Sequence, residues 1–169
     1  MRAGYEYLLK QVYLNMIDYY AGAPPRIQHF VKVHSFAGLI GRQEGLDEHT
    51  QFILEATAYV HDIGIKPAEE KYGREDGPLQ ERLGPPVAKD MLTDLGFEAE
   101  DIDRICYLIG HHHTYTDMDG LDYQILVEAD FLVNLFKNRS TPDQCQACYE
   151  RIFRTATGRH ICKTMFKLK

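Results

Sequence analysis

The chain has 169 residues, 44% hydrophobic and 26% charged, with 25 acidic side chains against 19 Lys and Arg and a formal net charge of −6. That is one domain's worth of chain, long enough to bury a hydrophobic core without disulfide or metal staples. The acidic balance argues against a nucleic-acid polymer or an anionic membrane surface as the main partner, since either calls for a basic face. A small phosphorylated substrate remains open, because a bound metal can supply positive charge locally.

The first segment, MRAGYEYLLKQVYLNMIDYY, is amphipathic rather than continuously apolar. It lacks the charged, apolar and small-residue parts of a secretory leader. No apolar run approaches membrane-spanning length, so a cytoplasmic protein is expected. Tyr5, Leu8, Leu9, Val12, Tyr13, Met16 and Tyr20 recur at three- and four-residue spacing, which predicts a helix over 4–21. It is expected to cap the core, the alternative being a homodimer contact. Pro24-Pro25 then starts a second helix, over 26–44, with Ile27, Phe30, Val33, Ala37 and Ile40 facing inward. Gly45 ends it, and Asp47 reads as the N-cap of a third helix running to about Asp62.

Residues 63–84 hold Gly64, Pro67, Gly73, Gly77, Pro78 and Gly84 among many charges. They read as an ordered loop, with short helical turns allowed within it, and with a functional role. Pro85-Pro86 is expected to open a helix to Leu95, closed by Gly96. Further helices are expected over 99–112 and 122–137, with a polar loop between them. Ser140-Thr141-Pro142 starts a last long helix ending near Gly158, followed by a short helical tail. No strand-like alternation and no repeat occurs. The prediction is a single all-α domain over 1–169, a bundle of six to eight helices. Within it are an N-terminal helix in 1–23, a motif-bearing core at 26–136 and a C-terminal helical segment at 140–169. Cys106, Cys145, Cys148 and Cys162 are expected as reduced thiols packed between helices, for no second Cys-x-x-Cys accompanies Cys145 and Cys148.

Four groups with ligand chemistry fall on apolar faces. His29 shares a stripe with Val33, Phe36 and Ile40. His34 sits roughly 140° away from it at 100° per residue. His61 follows Leu54 and Ala58 along one face, and Asp62 is its neighbour. Asp130 lies within ILVEADFLVNLF, flanked by Leu126, Ala129, Leu132 and Val133. Taken singly, each is an ordinary buried polar residue with a hydrogen-bond partner. Taken together on separate helices, buried carboxylates and imidazoles ask for a shared cation. Their donor types suit iron, manganese, nickel, cobalt or zinc, and magnesium less well.

The segments RIQHFVKVHSFAGLI, AYVHDIGIK and EADFL resemble, in that order, the motifs of the HD-domain metal-dependent phosphohydrolases. The resemblance covers about two thirds of the chain and implies an all-α fold. It implies His29, His61, Asp62 and Asp130 as metal ligands, with Asp62 bridging where a second ion is bound. Dinuclear members carry extra histidines before the last Asp. Here His111 and His112 are the first candidates and His113 the third. HDIGIK also resembles the HD-GYP proteins, but no Gly-Tyr-Pro follows, and Gln80 stands in QERLG where that subgroup has a further His. Glu81 is the substitute donor.

The implied function is hydrolysis of a phosphomonoester or phosphodiester of a small molecule, such as a nucleotide. It would use water activated by one or two divalent metals, with Asp62 orienting or deprotonating that water. Lys66 would clamp phosphate and stabilise developing charge. Lys71, Arg74 and Tyr115 would complete a substrate-binding rim. Two alternatives share the site: di-iron oxygenase chemistry, and a non-catalytic metal- or nucleotide-binding sensor module.

Overall fold

A computed structural model describes all 169 residues, which form nine α-helices and no strand: α1 (Ala3–Tyr19), α2 (Pro24–Gln43), α3 (Glu48–Val60), α4 (Ile65–Tyr72), α5 (Gly77–Leu95), α6 (Ala99–Ile109), α7 (Leu121–Lys137), α8 (Pro142–Ile152) and α9 (Ala156–Phe166). The axis of the bundle is α3. Every residue from Gln51 to Val60 is buried, because α1, α2, α6 and α7 all pack against it. A helix apolar all round belongs at a core centre. Asp47 caps α3 as expected, its carboxylate accepting from the Thr50 N–H at 3.0 Å. The first helix covers one side of α3: Val12 and Met16 are fully buried, and Tyr13 stacks on Tyr59 at 4.6 Å. No helix is long and apolar enough to cross a membrane.

The segment 63–84 differs most from expectation. It is not a loop: α4 occupies 65–72, and α5 begins at Gly77 rather than at Pro85. Asp76 caps α5 by accepting from the Leu79 N–H at 3.2 Å, and Pro78 sits in the first turn, where its missing N–H costs nothing. Pro85 and Pro86 lie inside the helix. Gly84 before them has no Cβ, which relieves part of the clash that normally keeps helix away from a residue preceding proline. The extra element raises the number of helices to nine.

The role of Gly64 also changes. Its backbone is ordinary right-handed helix, φ −73°. A Cβ there would lie 2.6 Å from the Gln80 carbonyl oxygen and 2.7 Å from the Gly84 nitrogen. The residue is glycine because α5 crosses the His-Asp turn backbone to backbone.

At the C-terminal end the break between the last long helix and its helical tail falls at 153–155, earlier than the expected end near Gly158. Helix α8 starts on a capping box, Thr141 with Gln144, and stops at Ile152. Thr155 then caps α9. Gly158 lies in the first turn of α9 against the Glu128 carboxylate, which a Cβ would strike. Buried Glu128 accepts from the Arg154 N–H, the Thr155 N–H and the Thr155 hydroxyl at 2.6–2.9 Å, so α7 holds the α8–α9 junction. Cys145, Cys148 and Cys162 are buried here as free thiols, and burial pushes each upward in pKa.

Gly64→Ala is expected to destabilise the protein by about 1–3 kcal/mol, the usual effect of overpacking a close contact. A denaturant midpoint unchanged from wild type would show that α5 does not need this approach.

Candidate metal centre

Three elements bring the cluster together. Helix α2 carries His29, the end of α3 and its following turn carry His61 and Asp62, and α7 carries Asp130. His29 Nε2 lies 3.2 Å from His61 Nε2, 3.1 Å from Asp62 Oδ2 and 3.2 Å from Asp130 Oδ1. His61 Nε2 is 3.5 Å from Asp62 Oδ2 and 3.4 Å from Asp130 Oδ1. All four side chains are buried, and the four donor atoms lie within 4.8 Å of one another.

The proton arrangement tests whether a metal fits. His61 Nδ1 is 2.8 Å from the Ala58 carbonyl oxygen. A carbonyl only accepts, so Nδ1 carries a proton and Nε2 is the nitrogen left to face the cluster. Two carboxylates and that imidazole nitrogen then converge on one point with no Lys or Arg among their partners. Such a set is satisfied by extra protons or by a cation, and it matches a divalent transition metal in donor type and in the hydrogen bond that orients the ligating His61. The field has the right sign. Burial pulls the His29 imidazolium down, but Asp130 and Asp62 outweigh it and lift the group to about 9. Both carboxyls are held below the usual range despite burial, Asp62 by the neighbouring histidines, His61 foremost, and Asp130 by His29 and His61.

A second group joins at Asp62. Its other oxygen, Oδ1, is 2.9 Å from His112 Nε2 and 3.9 Å from His113 Nε2. His112 Nδ1 is spent on the Ile109 carbonyl at 2.8 Å, so its Nε2 also faces the carboxylate bare unless protonated. His113 is pushed down to about 4 by burial and by His112, and is neutral at neutral pH. Gln80 Oε1 lies 2.7 Å from His113 Nε2, and the Gln80 amide nitrogen donates to the Glu75 carbonyl. The oxygen must therefore accept the His113 Nε2–H.

Several sequence-predicted residues lie elsewhere. His111 is turned away: it stacks on Tyr107 at 4.1 Å, with Nδ1 2.7 Å from the Tyr107 carbonyl, so the second group is built on His112 and His113. Lys66 does not face the cluster. Its ammonium donates to the Tyr19 carbonyl at 3.0 Å and sits over the Tyr19 ring, because α4 begins one residue earlier and turns the side chain onto the end of α1. Lys71 is exposed on α4, and Arg74 pairs with Asp76 at 3.0 Å in solvent. Tyr115 is nearer. It packs on Phe131 at 5.2 Å and is pushed up to about 12 by burial and by the Asp130 charge. Glu81 is not a substitute donor to the second group, since it accepts from the His113 N–H and the Thr114 hydroxyl, both at 3.0 Å.

Two supporting residues escaped sequence reasoning. The Tyr20 hydroxyl donates to the Asp62 carbonyl at 3.1 Å and accepts from the Lys66 N–H at 3.3 Å, which pins the His-Asp turn. The Asn134 amide donates to Asp130 Oδ1 at 3.0 Å from one turn along α7. Asn134 had a signal, its i+4 spacing from Asp130. Tyr20 had none beyond its place in an apolar stripe.

The HD domain family profile matches residues 26–147. The chain belongs to the HD domain family. Among solved structures it is similar to a predicted HD superfamily hydrolase from an uncultured Thermotogales bacterium, over 96% of this chain and 84% of that one, with a TM-score of 0.64 and 23% sequence identity. At that identity the likeness is one of fold. No curated protein matches the sequence.

His61→Ala and Asp130→Ala are expected to lower bound metal to near zero by elemental analysis of purified protein, and His111→Ala to retain the wild-type content. Metal bound equally in all three would show that the cluster is not the ligand set.

Proposed function

We propose that the protein is a metal-dependent phosphohydrolase that cleaves a phosphomonoester or phosphodiester of a small molecule with water. The observation that carries this reading is the buried convergence of His29, His61, Asp62 and Asp130 with no Lys or Arg among their partners. A divalent metal held by these four supplies a Lewis acid and a bound water of lowered pKa. Asp62 has both oxygens inside the cluster, one toward His29 and one toward His112. We assign it to orient the attacking water and take its proton. Tyr20 and Asn134 keep the two carboxylates in position through the turn and through α7.

The second group is weaker as a ligand set. Gln80 accepts the proton that His113 would have to give up in order to ligate, and an amide oxygen does not replace an imidazole for a transition metal. This favours one tightly held ion per chain. Elemental analysis is expected to find one metal in wild type. Gln80→His is expected to raise the number toward two, and a value of two in wild type would overturn the assignment.

Activity is tested by a phosphatase screen over nucleotides and sugar phosphates with the identified metal. Asp62→Ala should lower kcat/KM by about 10²–10⁴-fold, the range for loss of general acid–base catalysis. Full hydrolysis by a metal-loaded Asp62→Ala protein would sink the mechanism. Oxygen consumption by an iron-loaded protein that hydrolyses nothing would select the oxygenase alternative.

A further inference from the structure

A groove of about 330 Å³ runs between α2 and α7 and reaches the cluster through His29, one of its lining residues. Its other walls include Gln28, Lys32, Val133, Phe136 and Lys137. The placement follows from helical spacing. Lys32 lies three residues beyond His29 on α2, and Lys137 lies seven beyond Asp130 on α7. Both spacings return to the same helix face, one and two turns out from the metal-binding groups. Both lysines are exposed, and neither is tied up in an ion pair, as no lysine of this chain is. Between them Phe136 is 71% exposed, a large flat apolar surface left uncovered. His29 Nδ1 is buried and has no hydrogen-bond partner within the protein.

From this geometry we propose that the groove holds the leaving-group side of the substrate, and that this side carries a second anionic group taken between Lys32 and Lys137 and a planar apolar body lying against Phe136. The proposal rests on the phosphohydrolase reading for what happens at the cluster, but the groove's chemistry stands on its own residues. Two unpaired ammonium groups favour an anion over a neutral sugar or alcohol. An uncovered aromatic ring favours a planar partner. Lys66, Lys71 and Arg74 are displaced from this role by the direction of α4.

Adenosine 3′,5′-bisphosphate and adenosine 5′-monophosphate are a matched pair of probes, differing by one phosphate. Hydrolysis of the bisphosphate adds water across one P–O bond and releases inorganic phosphate and an adenosine monophosphate. Wild-type protein is expected to show a KM for the bisphosphate about tenfold or more below that for the monophosphate. Lys32→Ala and Lys137→Ala should each reduce that preference about tenfold. Lys32→Arg and Lys137→Arg should keep most of it, and Lys163→Ala, removing an equal charge from α9, should leave it intact. Circular dichroism establishes that the variants are folded. Calorimetric titration of both probes into chelator-treated protein, where no turnover occurs, should give the same order of affinities. Lysine-dependent binding of the bisphosphate without hydrolysis by metal-loaded protein would remove the phosphohydrolase reading and keep the groove. Hydrolysis with no preference, a preference unchanged in the lysine variants, or no binding of either probe would overturn the proposal.

Discussion

Two carboxylates with almost no access to water, Asp62 and Asp130, face the same small volume. Desolvating a carboxylate costs several kcal/mol even after the protein relaxes around it, and two of like charge at close range repel. Neither is paired with Lys or Arg. What offsets them within the chain is imidazole, and the imidazoles are themselves constrained, since backbone carbonyls hold a proton of His61 and of His112 on the nitrogen facing away. One imidazolium at His29 does not balance two carboxylates, so the arrangement calls for further positive charge at its centre. Much of the fold serves to keep it that way. Helix α3 is buried on every side so that its last turn can deliver His61 and Asp62 into the interior. Tyr20 reaches from α1 to hold that turn, and α5 closes over it with no room for a Cβ at Gly64.

This constraint explains which parts of the site were legible in the sequence. His29 and Asp130 stood on apolar stripes of regular helices, where spacing alone tells which side faces the core. The histidine tract could not be read that way. Helix α6 ends at Ile109, and the next residues form a turn. His111 still follows the helix and stacks on Tyr107, one turn back, while His112 is held by the Ile109 carbonyl and swings to Asp62. The 100° step no longer applies where the helix has ended, so the order of the three was open.

The region 63–84 departs from its sequence pattern for a related reason. Glycine and proline break helices by position rather than by number, and here most of them stand where a helix tolerates them. Gly73 ends α4 in the left-handed conformation, φ 65°, which is the ordinary punctuating use. Gly64 serves a backbone contact, and Pro78 stands where a helix has no N–H to lose. Taking the segment as a loop sent Lys66 and its neighbours toward the substrate. As helix, the same residues point onto α1 and into solvent. Thr155 shows the converse at the C-terminus, a start signal hidden inside what looked like one continuous helix.

The corrected direction of α4 leaves the cluster with a polarity that composition could not convey. On one side of Asp62 lie His112, His113 and Gln80, a crowded and hydrogen-bonded wall in which each side chain is already committed. On the other side lies His29, with a buried nitrogen that has no partner, and beyond it a groove whose two cations are unpaired. A buried polar atom left unsatisfied, as His29 Nδ1 is, marks where something else completes it, while the two exposed lysines are held by water until an anion displaces it. The crowded wall and the groove lie toward different oxygens of the same carboxylate, so a ligand reaching the cluster would extend along α2 and α7. The helices that supply the first His and the last Asp would then also supply the contacts that select what is bound.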